Sequence, residues 1–158
     1  MHLRRAQNNE DGAILRAEDG ATVKVVDCTF KDNRTSQHGS AIALFSGSKL
    51  IVEDSLFEKN NAKLNGGAIY AVDGSSVTIS NSTFKDNQAG GNGKAIWIDA
   101  SSTLDVENST FTPDGASNLS GSVTTSLGKA IWVDDSVVSS AILDDAFVEL
   151  EEEIESFF

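Results

Sequence analysis

The chain has 158 residues, a net charge of −12 from 24 acidic and 12 basic side chains, and one cysteine, Cys28. The acidic balance argues against nucleic acid and against an anionic membrane surface, because both need a basic patch. A lone cysteine excludes an internal disulfide and a cysteine-based metal site, and no apolar stretch approaches membrane-spanning length.

The first nine residues carry charge with no apolar run behind them, so they do not read as a secretory signal. Leu3 stands 27 residues before Phe30, which makes Leu3 to Ala6 a degraded copy of a turn that recurs further on. Phe30, Phe57, Phe84 and Phe111 are each 27 apart, and three residues after each comes Asn33, Asn60, Asn87 or Asp114. Two apolar columns share the spacing: Val23, Leu50, Val77, Leu104, and Val25, Val52, Ile79, Val106. Asp27, Asp54, Asn81 and Asn108 form a fifth column, and Cys28, Ser55, Ser82 and Ser109 a sixth. A period of this length is the mark of a solenoid.

A second motif opens each coil. Its full form is Gly66-Gly67-Ala68-Ile69, with variants at Asp11–Ile14, Gly39–Ile42, Gly93–Ile96 and Gly128–Ile131. The isoleucines step by 28, 27, 27 and 35, so eight extra residues are expected in the Gly/Ser/Thr-rich stretch Pro113–Leu127. Within a coil the apolar residues alternate, as at Val77 and Ile79, which is strand periodicity. No intervening segment is long enough for a crossover helix, so the chain is read as all-β: a parallel β-helix of about five 27-residue coils with inward Ile, Val and Phe columns. Asn33, Asn60 and Asn87 are expected to form an amide ladder within a turn. Lys31, Glu58, Lys85 and the neighbouring Asp32, Lys59, Asp86 place opposite charges on successive coils. Their use is more in fixing register than in energy.

The solenoid is assigned to residues 1–143. Residues 144–158 read as an acidic amphipathic α-helix with Phe147, Leu150, Ile154 and Phe157 or Phe158 on one face. That helix either plugs the last coil or binds a partner. The plug is preferred, since solenoids need end caps.

The pairing of Gly66–Ile69 with Phe84–Asn87, and the variants of both, resembles the polymorphic membrane protein repeat of Chlamydiae over most of Leu3–Asp114. The resemblance implies a right-handed, pectin-lyase-like parallel β-helix, an extracellular or cell-surface location, and adhesion. Parallel β-helices also host pectate lyases and polygalacturonases. Those chemistries need clustered carboxylates with basic partners. The candidates are Asp73, Asp99, Asp134 and Asp135, which follow the Ile-bearing strand roughly in one column; turn formation explains them as well. His38 has no predictable orienting carboxylate and is read as filling the first glycine position of its coil. Gly90-Gly91-Asn92-Gly93 has no Lys-Ser/Thr after it and is read as a turn.

Tyr70, Trp97 and Trp132 follow the repeat isoleucines and are expected to stack along one outward face above Leu15 and Ala43. Two readings stand: a face for protein or glycan, or one covered by Pro113–Leu127. The expected function is a non-catalytic adhesion or protein-interaction module, with no cofactor, no metal and no catalytic residue. Its binding candidates are Tyr70, Trp97, Trp132, Leu150, Ile154, Phe157 and Phe158. Phe30, Phe57, Phe84, Phe111, Asn33, Asn60, Asn87, Gly66 and Gly67 are its structural repeat residues. The alternatives are a structural subunit of a larger assembly and a pectate-lyase-type enzyme.

Overall fold

The computed structural model of the chain describes residues 2–4, 6–112, 119–121 and 133–134. The expected helix at 144–158, with Leu150, Ile154, Phe157 and Phe158, lies outside them, as do Trp132 and Asp135. The described chain winds through four sheets in which every strand pairing is parallel. About four coils are complete, against the five expected.

Each coil crosses the sheets in the same order. The phenylalanine sheet holds His2–Arg4, Thr29–Lys31, Leu56–Glu58, Thr83–Lys85 and Thr110–Thr112. A two-residue sheet follows, with Gln7–Asn8, Arg34–Thr35, Asn61–Ala62 and Gln88–Ala89. Then comes the isoleucine sheet: Leu15–Ala17, Ile42–Leu44, Ile69–Ala71, Ile96–Ile98, Leu119–Gly121 and Val133–Asp134. The five-residue sheet closes the coil with Thr22–Val26, Lys49–Glu53, Ser76–Ser80 and Thr103–Glu107.

The register is the 27-residue period itself. Phe30 pairs Phe57, Phe57 pairs Phe84 and Phe84 pairs Phe111. Their rings stack at 4.6, 4.6 and 4.7 Å within 8° of parallel, so the ring spacing follows the strand spacing. Leu3 pairs Phe30, as its place in the period requires. The five-residue strands alternate: Leu50 and Val52 are buried, while Lys49 is exposed. Strand alternation thus turns one column inward and the next outward.

The buried polar columns are satisfied along the coil axis. The Asn33 side-chain amide donates to Asn60 Oδ1 at 2.9 Å, and Asn60 donates to Asn87 Oδ1 at 3.0 Å. The same acceptors take the backbone N–H of Asn33 and Asn60, and the second amide hydrogens reach Leu3 O and Phe30 O. At the base, Ala6 N–H donates to Asn33 Oδ1. The serine column works in the same way. Cys28, Ser55 and Ser82 N–H donate to the hydroxyls of Ser55, Ser82 and Ser109, and each hydroxyl donates to the carbonyl two residues before it. Buried polar groups left unmatched would cost more than these bonds contribute, so the ladders fix which coil sits on which.

The turns explain the remaining columns. Asp27, Asp54, Asn81 and Asn108 all have φ between 45° and 54°, a left-handed conformation that short polar side chains tolerate. Asp19-Gly20, Ser46-Gly47 and Asp73-Gly74 are paired left-handed turns, as expected at Asp73-Gly74. Gly66 is left-handed, while a Cβ on Gly67 would lie 2.0 Å from the Lys94 carbonyl oxygen, so the coils meet there backbone to backbone. Of the alternating charges, Lys31 and Glu58 pair at 3.1 Å, and this contact holds the Glu58 carboxyl below its ordinary value. Asp32, Lys59 and Asp86 occupy left-handed turns and form no ion pair within 4 Å among the described residues.

Three expectations need correction. Leu15, not Ile14, pairs Ile42, so the motif there is Gly12-Ala13-Ile14-Leu15 and the 28-residue step becomes 27. His38 does not fill a glycine position. Gly39 does, aligned with Gly12, Gly66 and Gly93 and left-handed like them. The strand over Ile96–Ile98 is Leu119–Gly121 rather than one led by Gly128–Ile131, and Val133–Asp134 follows over it. The stretch Pro113–Leu127 therefore contains a strand rather than only an inserted loop.

Truncating Phe57 removes two ring stacks from the axis of the core. Phe57→Ala is expected to cost about 3–5 kcal/mol in denaturant unfolding, while the exposed Lys49→Ala stays within roughly 0.5 kcal/mol.

Candidate aromatic face

The outward column of the isoleucine sheet runs Arg16, Ala43, Tyr70 and Trp97, and Ser120 pairs Trp97 in register. Arg16 takes the place expected for Leu15, because the register at that strand is shifted by one. Ser120 takes the place over Trp97 expected for Trp132.

Ala43 is small, and larger side chains from the same coil close over it. His38 stacks on Tyr70 with centroids 4.2 Å apart, and Phe45 meets Tyr70 at 6.0 Å with its plane tilted by 54°. Tyr70 stacks on Trp97 at 5.2 Å. The Arg16 guanidinium lies 4.3 Å from the Phe45 ring centroid, a cation–π contact. Five side chains from four coils thus form one half-exposed array in which Ala43 is fully buried. Tyr70 has His38 from the preceding coil on one side and Trp97 from the following coil on the other. Ring edges and polar tips, rather than free ring faces, meet the solvent at Tyr70.

Hydrogen bonds at the margin hold the array. His38 Nδ1 accepts the Asn65 N–H at 3.0 Å, which puts the ring proton on Nε2. His38 N–H donates to Asp11 Oδ1, and Asn92 N–H donates to Asn65 Oδ1, so Asp11, His38, Asn65 and Asn92 make a further ladder. Arg16 is held by Glu18 at 3.0 Å and Asp11 at 3.6 Å. Its partners keep the guanidinium above its ordinary value, the hydrogen bond it donates to Glu18 first among them. Burial, then the charges of Asp11, Asp99 and Asp73, raise the Tyr70 phenol above its usual value, so it stays protonated as a donor.

Sequence reasoning identified Tyr70 and Trp97 but missed Arg16, Phe45 and the position of His38. The signal for Arg16 was a uniform 27-residue step. Phe45 aligns with Glu18, Val72 and Asp99, a column with no shared chemistry to mark it.

The described carboxylate candidates, Asp73, Asp99 and Asp134, do not share a column. Asp99 aligns with Val72, Asp73 lies one residue further on, and Asp134 pairs Ser120 in the Trp97 column. Asp99 Oδ2 accepts the Asp73 N–H at 3.1 Å, and Oδ1 accepts the Ser101 N–H and hydroxyl at 3.1 and 2.9 Å. Burial pushes the Asp99 carboxyl upward, but hydrogen bonds from Asp73, Ser102 and Ser101 outweigh it and hold it below the usual aspartate value. Both oxygens are thus engaged in building the turn at Ala100-Ser101, the one turn of its column among the described residues without a left-handed glycine.

Over residues 5–138 the sequence matches the family model described as the right handed beta helix region. No curated protein and no solved structure matches the chain.

Because the folded state lowers the Asp99 pKa, its stabilising contribution is present at neutral pH and fades as pH falls through the folded value. The stability gap between the wild type and Asp99→Asn, measured by urea unfolding, is expected to be largest at neutral pH and to shrink below about pH 4.

Proposed function

Given that the chain belongs to the right-handed β-helix family, we propose that it is a non-catalytic protein-interaction module whose contact face is the array of Arg16, Phe45, His38, Tyr70 and Trp97. The fold leaves the role open, since function resides in sites rather than scaffolds. The observation that carries the reading is the array's construction: half-exposed aromatic groups held rigid by stacking and by hydrogen bonds to neighbouring coils. Rigid Tyr, Trp and Arg side chains are the residue types on which protein interfaces concentrate their energy, because little rotamer freedom is lost on binding. With both faces of Tyr70 occupied, flat stacking of a sugar on that ring has no room, which favours a protein over a glycan at this face.

A non-catalytic role is supported by the engagement of Asp99 in its turn and by the separation of Asp73, Asp99 and Asp134 into different columns. The likeness of the Gly-Gly-Ala-Ile and Phe-x-x-Asn motifs to polymorphic membrane protein repeats adds adhesion at a cell surface to the proposal.

The test is photocrosslinking from a benzoylphenylalanine placed at Lys94, beside the array, and at Thr78 on the five-residue sheet, in the organism's own extract and surface fraction. Discrete protein adducts are expected from position 94 alone and are lost when Tyr70→Ala and Trp97→Ala are added. Removing the two anchors should weaken binding to a purified adduct partner by more than about tenfold. Equal labelling from both positions, or adducts indifferent to the double substitution, would overturn the interface. Turnover of polygalacturonate by the wild type would overturn the non-catalytic reading.

A further inference from the structure

Asn81 and Asn108 stand in equivalent turns between the five-residue strand and the phenylalanine strand, one coil apart. Ser80 pairs Glu107 and Thr83 pairs Thr110, which brackets the two turns and sets them about 4.8 Å apart along the axis. Each turn opens the same tripeptide, Asn81-Ser82-Thr83 and Asn108-Ser109-Thr110. An asparagine two residues before a serine or threonine, with no proline between them, is the acceptor signal for a nitrogen-linked sugar chain. Asn33-Arg34-Thr35 has the same form, as does Asn118-Leu119-Ser120, whose asparagine lies outside the described residues.

The fold separates the described acceptors into two kinds. Asn33 is fully buried, and its side-chain nitrogen donates to Leu3 O and to Asn60 Oδ1. A sugar on that nitrogen would replace a hydrogen that the ladder uses, at a place with no room for it. The Thr35 hydroxyl is likewise committed, donating to the Glu10 carbonyl oxygen. Asn81 and Asn108 are exposed, and their side-chain amides engage no partner. Turn formation does not account for those amides, because Asp27 and Asp54 make the same left-handed turn in the two preceding coils. Ser82 and Ser109 belong to the buried ladder, whereas half-buried Thr83 and exposed Thr110 keep their hydroxyls at the surface, 3.4 Å apart.

We propose that Asn81 and Asn108 are acceptors for N-linked glycans. The donor is an oligosaccharide carried on a lipid pyrophosphate. The asparagine nitrogen bonds to C1 of the first sugar, the bond from C1 to the pyrophosphate oxygen breaks, the amide gives up one proton, and the lipid pyrophosphate leaves. Transfer takes place on a chain that enters a secretory compartment, so the inference rests on the cell-surface location proposed above. These turns flank the five-residue sheet rather than the outward column of the isoleucine sheet, and sugar chains rooted there leave the aromatic face open to a partner.

The experiment is peptide mass spectrometry, with electron-transfer fragmentation to assign sites, on the chain purified from its own source. A glycan is expected at Asn81, at Asn108 or at both, and none at Asn33. Thr83→Val together with Thr110→Val, returned to the source organism, leaves both asparagines in place and should abolish these glycopeptides. Thr83→Ser together with Thr110→Ser should retain them, and circular dichroism checks that each variant is folded. Recovery from the medium, or labelling of intact cells by a membrane-impermeant amine reagent, reads the location separately. A chain at the surface with both asparagines bare overturns this inference alone; a bare chain confined to the cell interior overturns the location with it. A glycan on Asn33 of the folded chain, or glycans on Asn81 and Asn108 that survive both threonine-to-valine changes, would also overturn it.

Discussion

Successive coils pair in parallel with a one-to-one register, and this places every side chain about 4.8 Å from its equivalent in the next coil. Each position must therefore hold a residue that tolerates a copy of itself as neighbour. Phenylalanine does so by ring stacking, asparagine by joining amide to carbonyl, and serine by accepting from one coil while donating within its own. Like charges repel, and Lys31 and Glu58 differ in sign, whereas Asp27 and Asp54 are stacked only where both are exposed to water. The interior is thus a set of columns, and stability builds up coil by coil through nearest neighbours.

The same rule governs the surface. An outward column repeats its spacing without the requirement of close packing, so it is free to vary: Arg16, Ala43, Tyr70, Trp97 on one side, Gln7, Arg34, Asn61, Gln88 on another. Rigid presentation comes from the interior and chemical character from the outward letters. Small Ala43 makes room for His38 and Phe45 to reach Tyr70, so one modest residue determines how three larger ones meet.

Columns in which chemistry repeats were legible in the sequence, because repetition is visible without coordinates. The Phe, Asn, Ser and Val/Leu columns all stand where their spacing put them. Features in which chemistry does not repeat were harder. Ile14 attracted the alignment because it is an isoleucine, yet Leu15 occupies the paired position, and that single shift hid Arg16. His38 was set in a glycine column although its neighbour Gly39 carries the left-handed turn. Beyond Phe111 the steps between paired strands shorten to 23 and 14 residues, and Leu119–Gly121 carries no Gly-x-Ala-Ile motif to mark it. A groove around Arg34 had no sequence signature, since its lining joins unlike residues from three columns and three coils.

The asparagine ladder has an implication for how the gene can change. Asn33 and Asn87 make equivalent contacts with Asn60 from opposite sides. Excision of residues 50–76 would therefore lay Val77 on Val23, Phe84 on Phe30 and Asn87 on Asn33, with these buried columns intact, although Lys85 would then lie over Lys31. Copy number is a variable the interior accepts in whole units, by unequal recombination, without new packing. The outer face has no such indifference: the same excision removes Tyr70 and leaves Trp97 over Ala43. Lineages could thus lengthen or shorten the solenoid freely, while selection for a partner would show itself as resistance to losing one particular coil.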